Sequence, residues 1–294
     1  MSELSTWITV NGLSTWIAVI LYIVLAPVLG GLIAGIDRII SARMQGRVGP
    51  PLLQPFYDVF KLRNKQNMVV NKHQKFYILC FLIFVIITGS IFFAGGDLLL
   101  AIFALTLASI FLIIAAYSTN SPYAYIGAER EMLQMMAYEP MVILSVVGMY
   151  MVTKSFNSLD IALYDQPLLF SLPGIFLGFL FILTIKFRKS PFDISMSHHA
   201  HQEIVRGVIT EFSGSELAMV EIAHWYENVF LLGMVCLFFA SSPVIGIVLA
   251  LVVYFLEIFI DNNSSRLKWQ FTLGSAWIVA LVLGVGNIAY LAFR

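Results

Sequence analysis

The chain has 294 residues, of which 60% are hydrophobic and only 12% are charged. A soluble domain of this length carries roughly 25% charge, so this composition excludes an ordinary soluble protein. Lysine plus arginine and aspartate plus glutamate are 17 each, and the resulting net charge of zero leaves no electrostatic footprint for nucleic acid.

A helix needs about 20 apolar residues to cross the hydrocarbon layer. Eight stretches meet this, near 13–36, 76–95, 98–117, 132–153, 171–187, 215–240, 243–260 and 271–293. The expected fold is an all-α integral membrane protein with about eight transmembrane helices. No repeat, linker or low-complexity segment divides it, so one polytopic domain over 1–294 is expected. No basic leader with a cleavage site precedes the first apolar run, and no removable signal peptide is expected.

After the first span, the loop 37–75 reads R-M-Q-G-R-V-G-P-P-L-L-Q-P-F-Y-D-V-F-K-L at 43–62. Gly46, Gly49, Pro50 and Pro51 form a turn, and Pro55 suits a helix start. Phe56, Tyr57, Val59 and Phe60 oppose Asp58, Lys61 and Arg63, which predicts an interfacial amphipathic helix or a phospholipid contact. The second and third spans meet at the tight turn Gly95, Gly96, Asp97.

The fourth span carries Tyr138-Glu139-Pro140. Pro140 cannot bond the Met136 carbonyl, so a kink or broken turn is expected beside Glu139, wet enough to serve the freed carbonyl. A plain packing kink is the alternative. The segment 155–170 follows, and then a short fifth span with Pro173 near its start.

The next loop, 188–214, holds His198, His199 and His201 close to Glu203. Histidine with glutamate suggests zinc or nickel, but the spacing fits no H-E-x-x-H or C-x-x-C pattern, and no metal is expected. Contact with a partner subunit, or proton exchange with water, suits adjacent histidines better. The cysteines, Cys80 and Cys236, lie far apart in apolar runs, which argues against a disulfide, an iron–sulfur cluster or a thiolate zinc site.

The sixth span contains Glu221, His224 and Glu227, spaced as a ladder along one helix face, and the seventh contains Glu257. A charge within the bilayer costs about 2.5–3.5 kcal/mol on insertion scales. Each acid alone reads equally as a structural partner for tyrosine or arginine. Together with Glu139 they lie on three spans, and the set points to proton relay. No lysine falls in the middle of a span, so buried lysines of the antiporter kind are not expected.

Fifteen of the seventeen lysines and arginines fall on one side of the eight spans, with only Lys154 and Arg294 on the other. That side should be cytoplasmic, with both termini outside. Its loops are the long ones, and long loops gathered on one face usually bind something.

The 43–62 segment resembles the first loop of the H-subunit family of complex I. So do G-A-E-R-E at 127–131, Y-E-P at 138–140, S-P-F-D at 190–193 and E-F-S-G at 211–214, in family order over most of the chain. The runs S-P-F-D-I-S-M-S-H-H-A-H-Q-E at 190–203 and E-I-A-H-W-Y-E-N-V at 221–229 depart from the quinone-reducing members. They resemble the corresponding subunit of energy-converting membrane-bound NiFe hydrogenases of the Ech and Mbh type.

The resemblance implies an eight-helix subunit in the inner membrane of a prokaryote, with no redox centre of its own. Its expected partners are soluble hydrogenase large and small subunits with the nickel–iron centre and iron–sulfur clusters, a ferredoxin-like cluster subunit, and antiporter-like membrane subunits. Glu139, Glu203 and Glu211 match acids of the family's proton-entry region, while Glu221 and Glu227 belong to the hydrogenase branch. Arg43, Gln45 and Arg47 match the loop facing the soluble arm, and Asp193 with the three histidines completes the expected docking set. A quinone-site subunit of a respiratory NADH dehydrogenase and a free-standing transporter remain as alternatives. The histidine segment tells against the first, and the lack of repeats against the second.

Overall fold

The computed structural model describes residues 12–66, 71–196, 206–239 and 242–293. Among these the regular structure is helical, apart from one antiparallel bridge between Asp97 and Asn157. The helices are α1 (Gly12–Met44), α2 (Gln54–Arg63), α3 (Gln74–Phe93), α4 (Leu98–Tyr117), α5 (Pro122–Thr153), the short α6 (Ser158–Ala162) and α7 (Leu168–Ser171), and α8 (Pro173–Lys186). After them come α9 (Gly214–Leu237), α10 (Pro243–Asn263), α11 (Trp269–Val279) and α12 (Gly286–Phe293). A π-helical stretch, Ala280–Val285, joins the last two into one rod.

Six helices are long and apolar enough to cross a membrane: α1, α3, α4, α5, α10 and the α11–α12 rod. They match six of the expected spans, and the protein is a multi-pass membrane protein. The other two expected spans are also helices. Of these, α8 has only 14 residues, and α9 carries three glutamates along its 24.

The helix ends follow local chemistry. Proline sits in the first turn of α2, α5, α8 and α10, where its missing N–H has no intrahelical partner to lose. Asp97 caps α4 by accepting from the Leu99 and Leu100 amides at 2.7 and 3.3 Å. The Asn287 side chain accepts from the Ile175 amide at 3.2 Å, serving a free donor at the start of α8.

Two helices outrun their expected spans. α1 continues to Met44, so Asp37, Arg38 and Arg43 stand on helix rather than loop. α5 begins at Pro122, ten residues before the expected start at 132, and it runs unbroken through Pro140. The broken turn expected there does not occur.

α5 and α9 are central. α5 packs on α4, α8 and α11, while α9 packs on α3, α1, α10 and α2. One apolar core lies among α4, α5, α8, α9 and α10, and a second among α1, α3, α4 and α9. α2 is seated on α1 through glycines: a Cβ on Gly31 would collide with the Phe56 ring, and one on Gly35 with the Leu52 carbonyl. Gly31→Leu should therefore unseat α2 at a cost of about 1–3 kcal/mol. It should read as a lower thermal midpoint and faster proteolysis within 45–66, and an unchanged midpoint would refute this seating.

Candidate functional site

Part of the charge at the basic end of the bundle is internal. Lys186, in the last turn of α8, donates to Glu227 of α9 at 2.8 Å, and both are under 7% exposed. The Lys186 ammonium also stands 4.1 Å from the centre of the Tyr138 ring. Arg188 donates to Glu131 of α5 at 2.9 Å and approaches Glu227 at 4.0 Å. Glu131 accepts a further hydrogen bond from Ser195. The Tyr138 hydroxyl meets Ser109 at 3.2 Å. A chain of alternating charge thus runs from α5 through the turn after α8 into α9. Burial opposes the Arg188 charge, but Glu131 and Glu227 outweigh it and hold its pKa above the usual value.

A second group adjoins the first through the next residue in the chain. Lys189 pairs with Asp37 of α1 and reaches Asp261 of α10 at 3.5 Å. Tyr254 approaches Asp37 at 3.4 Å, and the Ser190 amide donates to Asp261 at 2.8 Å. One turn along α10 from Asp261 lies Glu257, only 2% exposed, with one carboxylate oxygen unpartnered among the described residues. It lines a cleft of about 270 Å³ between α8 and α10.

Three sequence expectations change here. First, although no lysine falls in the middle of a span, Lys186 and Lys189, which look like loop charges by hydropathy, are buried and paired at its end. Second, Glu221, His224 and Glu227 do not share one environment. Each three-residue step turns the direction by 60° on a helix of 3.6 residues per turn. Glu221 therefore lines a cleft beside α2, His224 meets the Phe81 ring edge of α3, and Glu227 meets Lys186. The buried Nε2 of His224 has no partner among the described residues. Third, Asp193 faces inward and is ion-paired with Arg266 at 3.0 Å. Burial raises its pKa, outweighing Arg266.

Glu139 is half-buried and has no hydrogen bond or ion pair with a described residue. It lines a cavity of about 10 Å³ with Tyr138, Lys186 and Phe230, about enough for one water molecule. That shared lining is what brings it beside the charge chain, and no hydrogen bond among the described residues joins it to Tyr138 or Lys186. Glu211 is half-buried in the turn before α9. Glu203, His198, His199 and His201 lie outside the described residues. Among the described residues no group of three histidine, cysteine, aspartate or glutamate side chains forms a metal site. Arg43, Gln45 and Arg47 are exposed at the end of α1, where Gln45 donates to Asn262 at 2.9 Å and Arg47 donates to Gln45.

Sequence reasoning missed Glu131, Glu216, Asp37, Asp261 and Tyr254. Glu216, in the first turn of α9, is 1% exposed and has a carboxylate oxygen without a described partner. Glu131 was legible in principle, because it continues the small and apolar stripe of Ala124, Gly127, Ala128, Gln134, Ala137, Tyr138 and Met141 along α5.

The family model for NADH dehydrogenase matches residues 16–292. Hydrogenase-4 component C of Escherichia coli K12 is 28% identical, over 84% of this chain and 87% of its own length. Formate hydrogenlyase subunit 4 of the same organism is 28% identical, over 89% and 92%. The H subunit of the NADH-quinone oxidoreductase of Brevibacillus brevis is 30% identical, over 94% and 92%. Among solved structures, a chain of the membrane-bound sulfane sulfur reductase, an archaeal respiratory membrane complex, superposes with a TM-score of 0.83 at 24% identity. The match covers 93% of this chain and 99% of that one, and it concerns the fold. With a model match over nearly its whole length, the chain belongs to the NADH dehydrogenase family, which includes the H subunits of complex I.

Proposed function

We propose that the chain is the membrane-anchoring and proton-relay subunit of an energy-converting membrane-bound NiFe hydrogenase. In this reading its exposed basic end docks a soluble redox arm. That arm would consist of hydrogenase large and small subunits and a ferredoxin-like cluster subunit. Antiporter-like subunits flank the chain in the membrane, and ferredoxin-linked hydrogen evolution drives proton or sodium translocation.

The observation that carries this reading is the buried chain Glu131, Arg188, Glu227, Lys186 and Tyr138, whose last two members line the same small cavity as Glu139. In this reading the carboxylates Glu131, Glu227 and Glu139 carry the protons, while Arg188 and Lys186 stay charged and hold Glu131 and Glu227 in line. The two Escherichia coli hydrogenase and hydrogenlyase proteins, matched over most of their length, support the hydrogenase branch. A second reading, the quinone-site subunit of an NADH-quinone oxidoreductase, is supported by the 30% identity to the Brevibacillus brevis protein.

Docking is tested by the double charge reversal Arg43→Glu with Arg47→Glu. Soluble subunits should then be lost on purification while the chain stays in the membrane, and Lys154→Glu should leave them bound. Retention of the soluble arm by the double variant would refute the docking role. Hydrogen evolution from reduced ferredoxin, against quinone reduction, separates the two branches.

A further inference from the structure

A cleft of about 480 Å³ opens between α1, α2 and α9. That lies within the size of known ligand pockets, about 300–1,000 Å³. Its wall is apolar, with Val28 of α1, Phe56 and Phe60 of α2, and Met219, Ile222 and Trp225 of α9. The cleft is built into the fold. Phe56 is held against Gly31 on one side, and on the other its ring centre lies 5.2 Å from that of Trp225. Phe60 is 62% and Val28 45% exposed, so the cleft continues into the apolar outer surface of the bundle.

Two cations complete the lining, Arg63 at the end of α2 and Lys75 at the start of α3. Both are exposed, and neither forms an ion pair with a described residue. Behind Val59 and Trp225 a second cleft of about 320 Å³ holds Arg38, Lys61, Lys65 and Arg206 against Asp58 and Glu221. Asp58 is committed to Arg38 at 2.6 Å. Burial would raise its carboxyl, but Arg38 and Gln54 outweigh burial and hold it below the usual range. The surroundings of α2 are therefore positive overall.

We propose that this cleft binds an anionic phospholipid, with one acyl chain along Val28, Phe60, Met219 and Ile222 and its phosphate at Arg63 and Lys75. The argument is depth and charge together. α2 is short and amphipathic and ends in Lys61 and Arg63, so it lies at the boundary of chain and headgroup. An apolar slot opening there meets acyl chains from the side, and two cations at its rim meet phosphates. A free anion would have no use for the apolar wall, and an uncharged amphiphile none for the cations. The site does not rest on the relay reading, and it occupies the flank of the bundle rather than its interior.

The test uses the assembled complex in nanodiscs containing a phosphatidylglycerol with a photoactivatable group in its acyl chain. Adducts should concentrate on peptides containing 56–63 and 215–225. A phosphatidylcholine probe should label them about 25-fold less at equal amount, from about a tenfold-per-1.4 kcal/mol conversion of two surface cations. Arg63→Ala with Lys75→Ala should abolish the preference while keeping the cleft, and Ala218→Phe, which fills it, should remove the adducts. Equal labelling by both lipids, or a preference that survives loss of both cations, would overturn the proposal. So would displacement of the label by inorganic phosphate, which would assign the cations to a free anion. Displacement by decylubiquinone but not by unlabelled phosphatidylglycerol would assign the cleft to a quinone and overturn it too.

Discussion

Lys186→Met should sharply reduce the amount of folded chain in the membrane, and adding Glu227→Met should bring it back. The single exchange leaves the buried Glu227 carboxylate with only Arg188, 4.0 Å away, which costs up to about 3–5 kcal/mol. Against a typical total stability of about 5–15 kcal/mol, that is enough to deplete the folded state. The double exchange replaces both charges by side chains of similar length and leaves Arg188 still paired with Glu131 at 2.9 Å. Its cost should be near zero. Monodisperse protein after extraction and the thermal midpoint measure both. A single variant as stable as the parent would show that the pair is not the buried contact described, and so would a double variant as unstable as the single. The restored double variant is also informative for function, because it should assemble and still fail to translocate ions.

Glu139→Gln is expected to act in the opposite way, with little effect on folding and a large one on turnover. Glu139 has no described partner to orphan, so its stability change should stay under about 1 kcal/mol. Gln cannot pick up or release a proton, and ion translocation should fall about tenfold or more. Hydrogen evolution should fall with it if the two are tightly coupled. Asp165→Asn, at the exposed opposite end, serves as the control. Ion transport at the parental rate in a fully assembled Glu139→Gln complex would remove Glu139 from the relay.

Much of the fold is legible because the bilayer imposes a strong signal. Every expected span contains a helix, and α4 falls on its expected limits. The ends were less legible, because hydropathy detects the apolar part of a helix and not its polar continuation. The extra turns of α1 and α5 carry Asp37 and Glu131, two of the acids that the network uses. The site was legible on its acidic side and not on its basic side. A glutamate inside a span, such as Glu227 or Glu257, is conspicuous by its cost. Lys186, Arg188 and Lys189 fall where a span ends, and that is where cations that fix orientation also fall. Only the packing of α5, α9 and α1 around that turn shows that they point inward.

Those three cations fall within four consecutive positions, yet their partners stand on α9, α5, α1 and α10. The turn is therefore a mechanical junction as well as an electrical one. If it moved by about 1 Å, the Lys186–Glu227 distance would open from 2.8 Å, and the attraction would weaken by about 1.5 kcal/mol at an effective dielectric constant of about 20. The same movement would strain the Lys189 contacts to two other helices. Whatever pushes on this segment from outside the bundle is felt in both charge groups at once, without any proton having to pass from one to the other.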